Sequence, residues 1–274
     1  MNPLILITND DGINSPGLAA AAEALHSLGD LLIAAPFEQQ TSMGRSKTQQ
    51  RRRDGTITKT TVKYGDHSWE GYSIKSTPAL AVEHAIVELA DRPIALAVSG
   101  INYGENVGSV VTASGTIGAA LEAADKGIPT LAVSQEIDGH NFNPHIYNEA
   151  VDFSTAIHFT HQIAEKILNK SLPFDTDVLK MEIPISATTD TECFVTRLDR
   201  YSYYTPVIQD RENQMGTPAR FSHEPNKGKY NKEDTDTYAL AQGWVSITPL
   251  SIDLTSRVEL PELAAILGTS VLIQ

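Results

Sequence analysis

The chain begins with a short, continuously apolar run, Leu4-Ile5-Leu6-Ile7, which stops at the polar Thr8-Asn9-Asp10-Asp11-Gly12. A run that is apolar at every position reads as a strand buried on both faces, and the polar residues after it read as a turn. Ser15 and Pro16 then supply an N-cap and a first helical residue for a helix through Leu18, Ala22 and Leu25 that stops at Gly29. The pattern recurs. Residues 31–35 predict a second strand, Thr77-Pro78 opens a helix through Ala81, Val82, Ala85, Ile86 and Leu89, and residues 94–98 predict a third strand. Ser114-Gly115-Thr116 leads into an Ala-rich helix closed by Gly127, followed by a strand over 130–134, a long helix over 148–168 and a strand over 178–183. Such alternation predicts an α/β fold, a Rossmann-like three-layer αβα arrangement around a mostly parallel sheet.

The texture changes after residue 185. Residues 186–237 are polar, rich in Tyr, Asn, Thr and charge, with strand-like pieces but weak helical periodicity; strand character returns over 244–250, and Pro261 starts a short terminal helix through Leu263, Ile266 and Leu267. We therefore expect a catalytic core over 1–185. Residues 186–274 are expected to form a β-hairpin excursion, a returning strand and a C-terminal helix, with a part in oligomerisation.

Composition narrows the setting. The 274 residues, 41% hydrophobic and 20% charged, suit one large globular domain. No apolar run approaches a membrane span and no basic leader precedes the first strand, while the single cysteine, Cys193, allows no internal disulfide; a cytoplasmic location is expected. The net charge of −13 argues against broad binding to nucleic-acid backbone or anionic lipid. It would also repel a phosphate at long range, so any phosphate site needs local positive potential from a metal ion, helix N-termini or a few basic side chains.

In an open parallel sheet, ligands collect at the carboxyl ends of the strands. Four polar segments fall there: Asn9-Asp10-Asp11-Gly12, Gln39-Gln40-Thr41-Ser42, Ser99-Gly100-Ile101-Asn102 and Ser114-Gly115-Thr116. Adjacent strand residues point to opposite faces, so Asp10 and Asp11 can share a ligand only where the strand breaks, and Gly12 supplies the break. Two close carboxylates favour a cation between them, and with Asn102 and the Thr41 hydroxyl they make a hard-oxygen site suited to Mg²⁺ or Mn²⁺. The same Asn-Asp-Asp-Gly string is also what an ordinary solvated turn uses.

The Gly- and Asn-rich stretch 99–108 can bring backbone N–H groups close to an anion, although its spacing is not that of a Walker loop. Ser114, Gly115 and Thr116 at a helix start can bind phosphate or simply cap the helix. Arg51-Arg52-Arg53 reads as solvated surface, Arg45 as nearer the crevice, and Asp236 as a supporting or substrate contact. No serine-hydrolase elbow or zinc spacing is present.

These segments resemble the stationary-phase survival protein SurE family of metal-dependent nucleotidases. The resemblance rests on Ile5-Leu6-Ile7-Thr8-Asn9-Asp10-Asp11-Gly12-Ile13-Asn14-Ser15-Pro16-Gly17, on residues 99–108 and on Ser114-Gly115-Thr116, and Thr77-Pro78, Ile183-Pro184 and Val245-Ser246-Ile247-Thr248-Pro249-Leu250 extend it. It implies that Asp10, Asp11, Asn102 and a hydroxyl hold one divalent ion; an ungapped count places Thr41 at the hydroxyl position, with Ser42 as the alternative. It further implies hydrolysis of nucleoside 5′- or 3′-monophosphates, activity on short polyphosphate, and homodimers or homotetramers built through the C-terminal hairpin region. Asp10 or Asp11 would position the attacking water, and Asn9, Ser114, Gly115 and Thr116 would contact the phosphate. The rival reading is a nucleotide-binding regulatory module without turnover, which the acidic pair disfavours.

Overall fold

The first strand, β1 (Leu4–Thr8), is buried along its whole length, and its side chains alternate between two apolar clusters. Ile5 and Ile7 pack with Leu18, Ala22 and Leu25 of α1 (Pro16–Leu25) and with Phe159 and Ile163 of α4 (Ser154–Asn169). Leu4 and Leu6 pack with Ala81 and Val82 of α2 (Pro78–His84) and with Ala119 and Ala123 of α3 (Gly115–Asp125). A strand's side chains have a period of two, so continuous apolarity means a helix layer on each face. The predicted α/β class, three layers and mostly parallel sheet are those of the computed structural model, which describes residues 2–49, 53–137, 151–209, 220–226 and 232–272.

The main sheet also contains β2 (Asp30–Pro36), β3 (Ile57–Tyr64), β4 (His67–Ile74), β5 (Ile94–Tyr103), β6 (Thr130–Gln135), β7 (Val178–Ile183), β8 (Cys193–Val195) and β11 (Val245–Leu250). Its order is β3-β4-β2-β1-β5-β6-β7-β11-β8. The run from β4 to β7 is parallel, whereas β3 and β11 pair antiparallel with β4 and β7. The chain leaves β1 toward β2 on one side and later returns to β5 on the other. That reversal opens a crevice at the carboxyl ends of β1 and β5, where ligands of such sheets collect.

Several elements differ from the sequence expectation. The hairpin of β3 and β4 falls in what reads as a polar connection, because β3 is an edge strand with only Val62 fully buried, so no apolar run marks it. The predicted 148–168 helix starts at Ser154, since Phe153 is its N-cap and 151–153 are not helical; 148–150 lie outside the described residues. Within the polar stretch, β9 (Tyr204–Gln209) and β10 (Arg220–Pro225) form a two-stranded antiparallel sheet, and α5 (Asp236–Ala241) adds a short helix. The returning strand β11 lies against β7, so the nine-stranded sheet continues past residue 185. The terminal helix is α6 (Leu260–Leu267). Among the described residues no helix is long and apolar enough to cross a membrane.

Candidate metal and phosphate site

The turn after β1 is built by its own side chains. Gly12 adopts φ +97°, a left-handed conformation that favours glycine. Asn9 brackets it, its Oδ1 accepting from Gly12 N at 3.0 Å and its Nδ2 donating to Gly12 O at 3.1 Å. Both aspartates are thereby held at the strand end, at 5% exposure for Asp10 and 4% for Asp11.

Each carboxylate has its own set of donors. Asp10 Oδ1 accepts from the Thr116 hydroxyl at 2.6 Å, and the backbone N–H groups of Gly115 and Thr116 also point at this carboxylate. The start of α3 therefore faces the protein's own acid, and a side chain at 115 has no room: a Cβ there would lie 2.7 Å from Asp10 Oδ2. Asp11 Oδ2 accepts from Tyr103 N at 3.0 Å, and its Oδ1 from Gln39 Nε2 at 3.2 Å. Burial raises the Asp10 pKa to about 6, against the lowering effect of these donors. Burial, reinforced by the negative charge of Asp10, raises Asp11 to about 8.

Asn102 reaches the same point from β5. Its Oδ1 lies 2.8 Å from the Thr116 hydroxyl, and its Nδ2 donates to Gly104 O at 2.7 Å. A hydroxyl carries one proton, so Thr116 can satisfy only one of the two oxygens, Asp10 Oδ1 or Asn102 Oδ1, at a time. Two converging hard oxygens that outnumber the protons between them, next to a second buried carboxylate, fit a divalent cation such as Mg²⁺ or Mn²⁺.

The other predicted residues fall around this point in different ways. Gln40 N donates to the Asp10 carbonyl at 2.7 Å, which sets the loop carrying Thr41 against the acidic turn; Thr41 and Ser42 are both exposed, and Ser42 has φ +62°. Ser114 caps α3, accepting from Ile117 N at 3.2 Å. Arg45 is turned away into ion pairs with Glu122 at 2.7 Å and Asp125 at 3.0 Å. Arg51 and Arg52 lie outside the described residues.

The Gly-rich stretch 99–108 gives several of its N–H groups to the protein's own acids. Besides Tyr103 N on Asp11, Asn106 N donates to Glu182 at 3.1 Å and Gly108 N to Asp236 at 3.0 Å. Lys180, wholly buried, pairs with Glu182 at 3.3 Å and with Asp236 at 3.0 Å. The sequence points to Asp236 as a supporting contact but not to Lys180 and Glu182, which complete this network. Its one signal is a charge at alternate positions, Lys180 and Glu182, of an otherwise apolar strand.

The survival protein SurE family model matches residues 5–205. The 5′-nucleotidase SurE of Thermococcus kodakarensis is 39% identical over 267 residues, covering 96% of this chain and 98% of that protein. That of Methanosarcina barkeri is 37% identical over 270 residues, covering 96% and 97%. Among solved structures, the SurE protein from Aquifex aeolicus superposes with a TM-score of 0.74 at 29% identity, covering 96% of this chain and 99% of that one. A family model spanning most of the chain, full-length relatives well above 30% identity and a shared fold lead to one conclusion: the chain belongs to the survival protein SurE family.

Proposed function

We propose that this chain is a metal-dependent 5′-nucleotidase that hydrolyses nucleoside 5′-monophosphates to nucleoside and phosphate, with 3′-monophosphates and short polyphosphate as further substrates. The observation that carries the reading is the convergence of Asp10 Oδ1 and Asn102 Oδ1 on the single Thr116 hydroxyl, beside buried Asp11. Full-length relatives named 5′-nucleotidase support the substrate class.

Asp10, Asp11, Asn102 and Thr41, with Ser42 as the alternative hydroxyl, would hold one Mg²⁺ or Mn²⁺ ion. Such an ion, when bound, supplies positive charge against a phosphoryl oxygen and makes water more acidic. Asp10 or Asp11 orients the attacking water. Asn9, Ser114, Gly115 and Thr116 border the phosphate; Asn9 holds the acidic turn, and Gly115 and Thr116 hold Asp10, so part of their effect reaches substrate through the acids. Fixed donors around developing charge are the usual demand of phosphoryl transfer. The protein acts in the cytoplasm as a homodimer or homotetramer, assembled through residues 186–274.

The test is phosphate release from a panel of nucleoside monophosphates by chelator-stripped protein, with and without Mg²⁺ or Mn²⁺. Metal-dependent release that is lost in Asp10→Asn and in Asn102→Ala is expected. Nucleotide binding without release under any metal, in folded protein, would instead favour the regulatory module.

A further inference from the structure

At the far end of α1 from the acidic turn, three side chains form a second cluster of metal-ligating groups. Glu23 and His26 lie one turn apart on the helix, and His67 starts β4 directly after the Gly65-Asp66 hairpin turn. One ligand atom from each of the three lies within 4.8 Å of the others. The cluster is separate from the acidic turn, because from Pro16, at the start of α1, to Glu23 is about 10 Å along the helix axis, and His26 lies further on.

The hydrogen bonds already orient the cluster as a ligand set. His26 Nδ1 is 2.8 Å from the Glu23 carbonyl, which can only accept, so that nitrogen carries the proton and the Nε2 lone pair is free. A ring N–H donated to a backbone carbonyl is the usual support of a metal-binding histidine. His67 Nδ1 lies 2.7 Å from Glu23 Oε2, a contact bridged by one proton that a cation can replace. The two imidazole rings are 5.0 Å apart by centroid, and Trp69 lies 5.9 Å from each.

We propose that Glu23, His26 and His67 form a second cation site, selective for an imidazole-binding divalent metal such as Zn²⁺, Ni²⁺ or Cu²⁺, that clips the β3–β4 hairpin to the end of α1. Nitrogen ligands set it apart from the all-oxygen site at Asp10, which suits Mg²⁺ or Mn²⁺. The solvent-facing histidines leave room for water to complete the coordination. Its role is structural: nothing in the cluster approaches the strand ends where phosphate is handled, and a cation there would add a crosslink between the end of α1 and a hairpin that already packs on the same apolar cluster through Val62, Tyr64 and Trp69.

The experiment uses the full chain, stripped with chelator and carrying Asp11→Asn to weaken the oxygen site. Zn²⁺ is titrated by calorimetry, and Cu²⁺ is titrated while tryptophan emission is followed, since Trp69 adjoins both rings. We expect one tight Zn²⁺ equivalent, quenching by Cu²⁺, and loss of affinity by at least about 100-fold when His26→Gln and His67→Gln are added. In otherwise unaltered protein, the two glutamine substitutions should leave Mg²⁺-dependent phosphate release and the far-UV spectrum unchanged, which separates loss of the cluster from loss of the fold. Zn²⁺ binding that is weaker than about 1 mM, or equally tight without the two histidines, would overturn the proposal.

Discussion

Thr116 shows how much of the candidate site depends on one hydroxyl. It is fully buried and sits within 2.8 Å of both Asp10 Oδ1 and Asn102 Oδ1, so it sets the spacing of one oxygen from the turn after β1 and one from β5. Thr116→Val keeps the shape and removes the only proton shared by that pair. We expect Mg²⁺ affinity, measured by calorimetry, to fall about 10- to 100-fold in folded protein, and Thr116→Ser to restore most of it. Unchanged affinity in Thr116→Val would remove Thr116 from the site. The sequence reading placed Thr116 and Ser114 as phosphate contacts or caps. Both sit at the helix start as expected, but the carboxylate that meets this start, Asp10, is more than a hundred residues away in sequence, a proximity that local pattern does not encode.

At the scale of elements, the buried charges of β7 hold the 99–108 segment to the body. Lys180 faces two carboxyl groups, Glu182 and Asp236, so ionising both would leave an excess negative charge in a wholly buried place. Burial is the main reason the Glu182 pKa rises from 4.5 to about 7; Lys180 and the Asn106 N–H oppose it, and Asp236 adds to it. A carboxyl whose folded pKa is raised contributes stability that is present below its unfolded pKa and lost as pH rises through its folded pKa. Comparing the protein with Glu182→Gln by chemical denaturation isolates this group. From pH 4.5 to pH 8 the protein should lose, relative to the variant, on the order of 3 kcal/mol. A difference that does not change with pH would mean that Glu182 titrates in the folded protein as it does in the unfolded chain. The helices and inner strands were legible because apolar period and capping residues mark them: Thr77, for example, does cap α2, accepting from Leu80 N at 3.4 Å. The β3–β4 hairpin was not, because an exposed edge strand is chosen by its pairing with β4, not by its own burial.

For the whole molecule, the strand order decides where chemistry collects. The turn after β1 and the Gly-rich segment after β5 meet because the chain reverses across β1, and the loop after β2 joins them through Gln40 N on Asp10. With a net charge of −13, the substrate attraction we propose would have to rest on local dipoles and on the proposed cation. The assembly we propose for residues 186–274 has a direct check: sedimentation of the full chain should give a homodimer or homotetramer across micromolar concentrations, and a monomer throughout that range would remove the role given to this region.

The sequence by itself determined the α/β class, the succession of buried strands and helices, and the acidic turn with its glycine, because burial period, helix-start residues and left-handed turns act over a few neighbouring residues; Thr77 and Ser114 cap their helices through their side chains, whereas Ser15 makes no such bond. Its family resemblance led to the same residues. Tertiary structure decided which distant groups each of these meets: that the α3 amides face Asp10, that the Gly-rich amides are taken by Asp11, Glu182 and Asp236, and that two histidines and a glutamate gather at the end of α1. The physical reason is that burial and hydrogen bonding must be satisfied over the whole chain at once. A donor's partner is whichever acceptor the packed sheet brings within about 3 Å, not the one nearest in sequence.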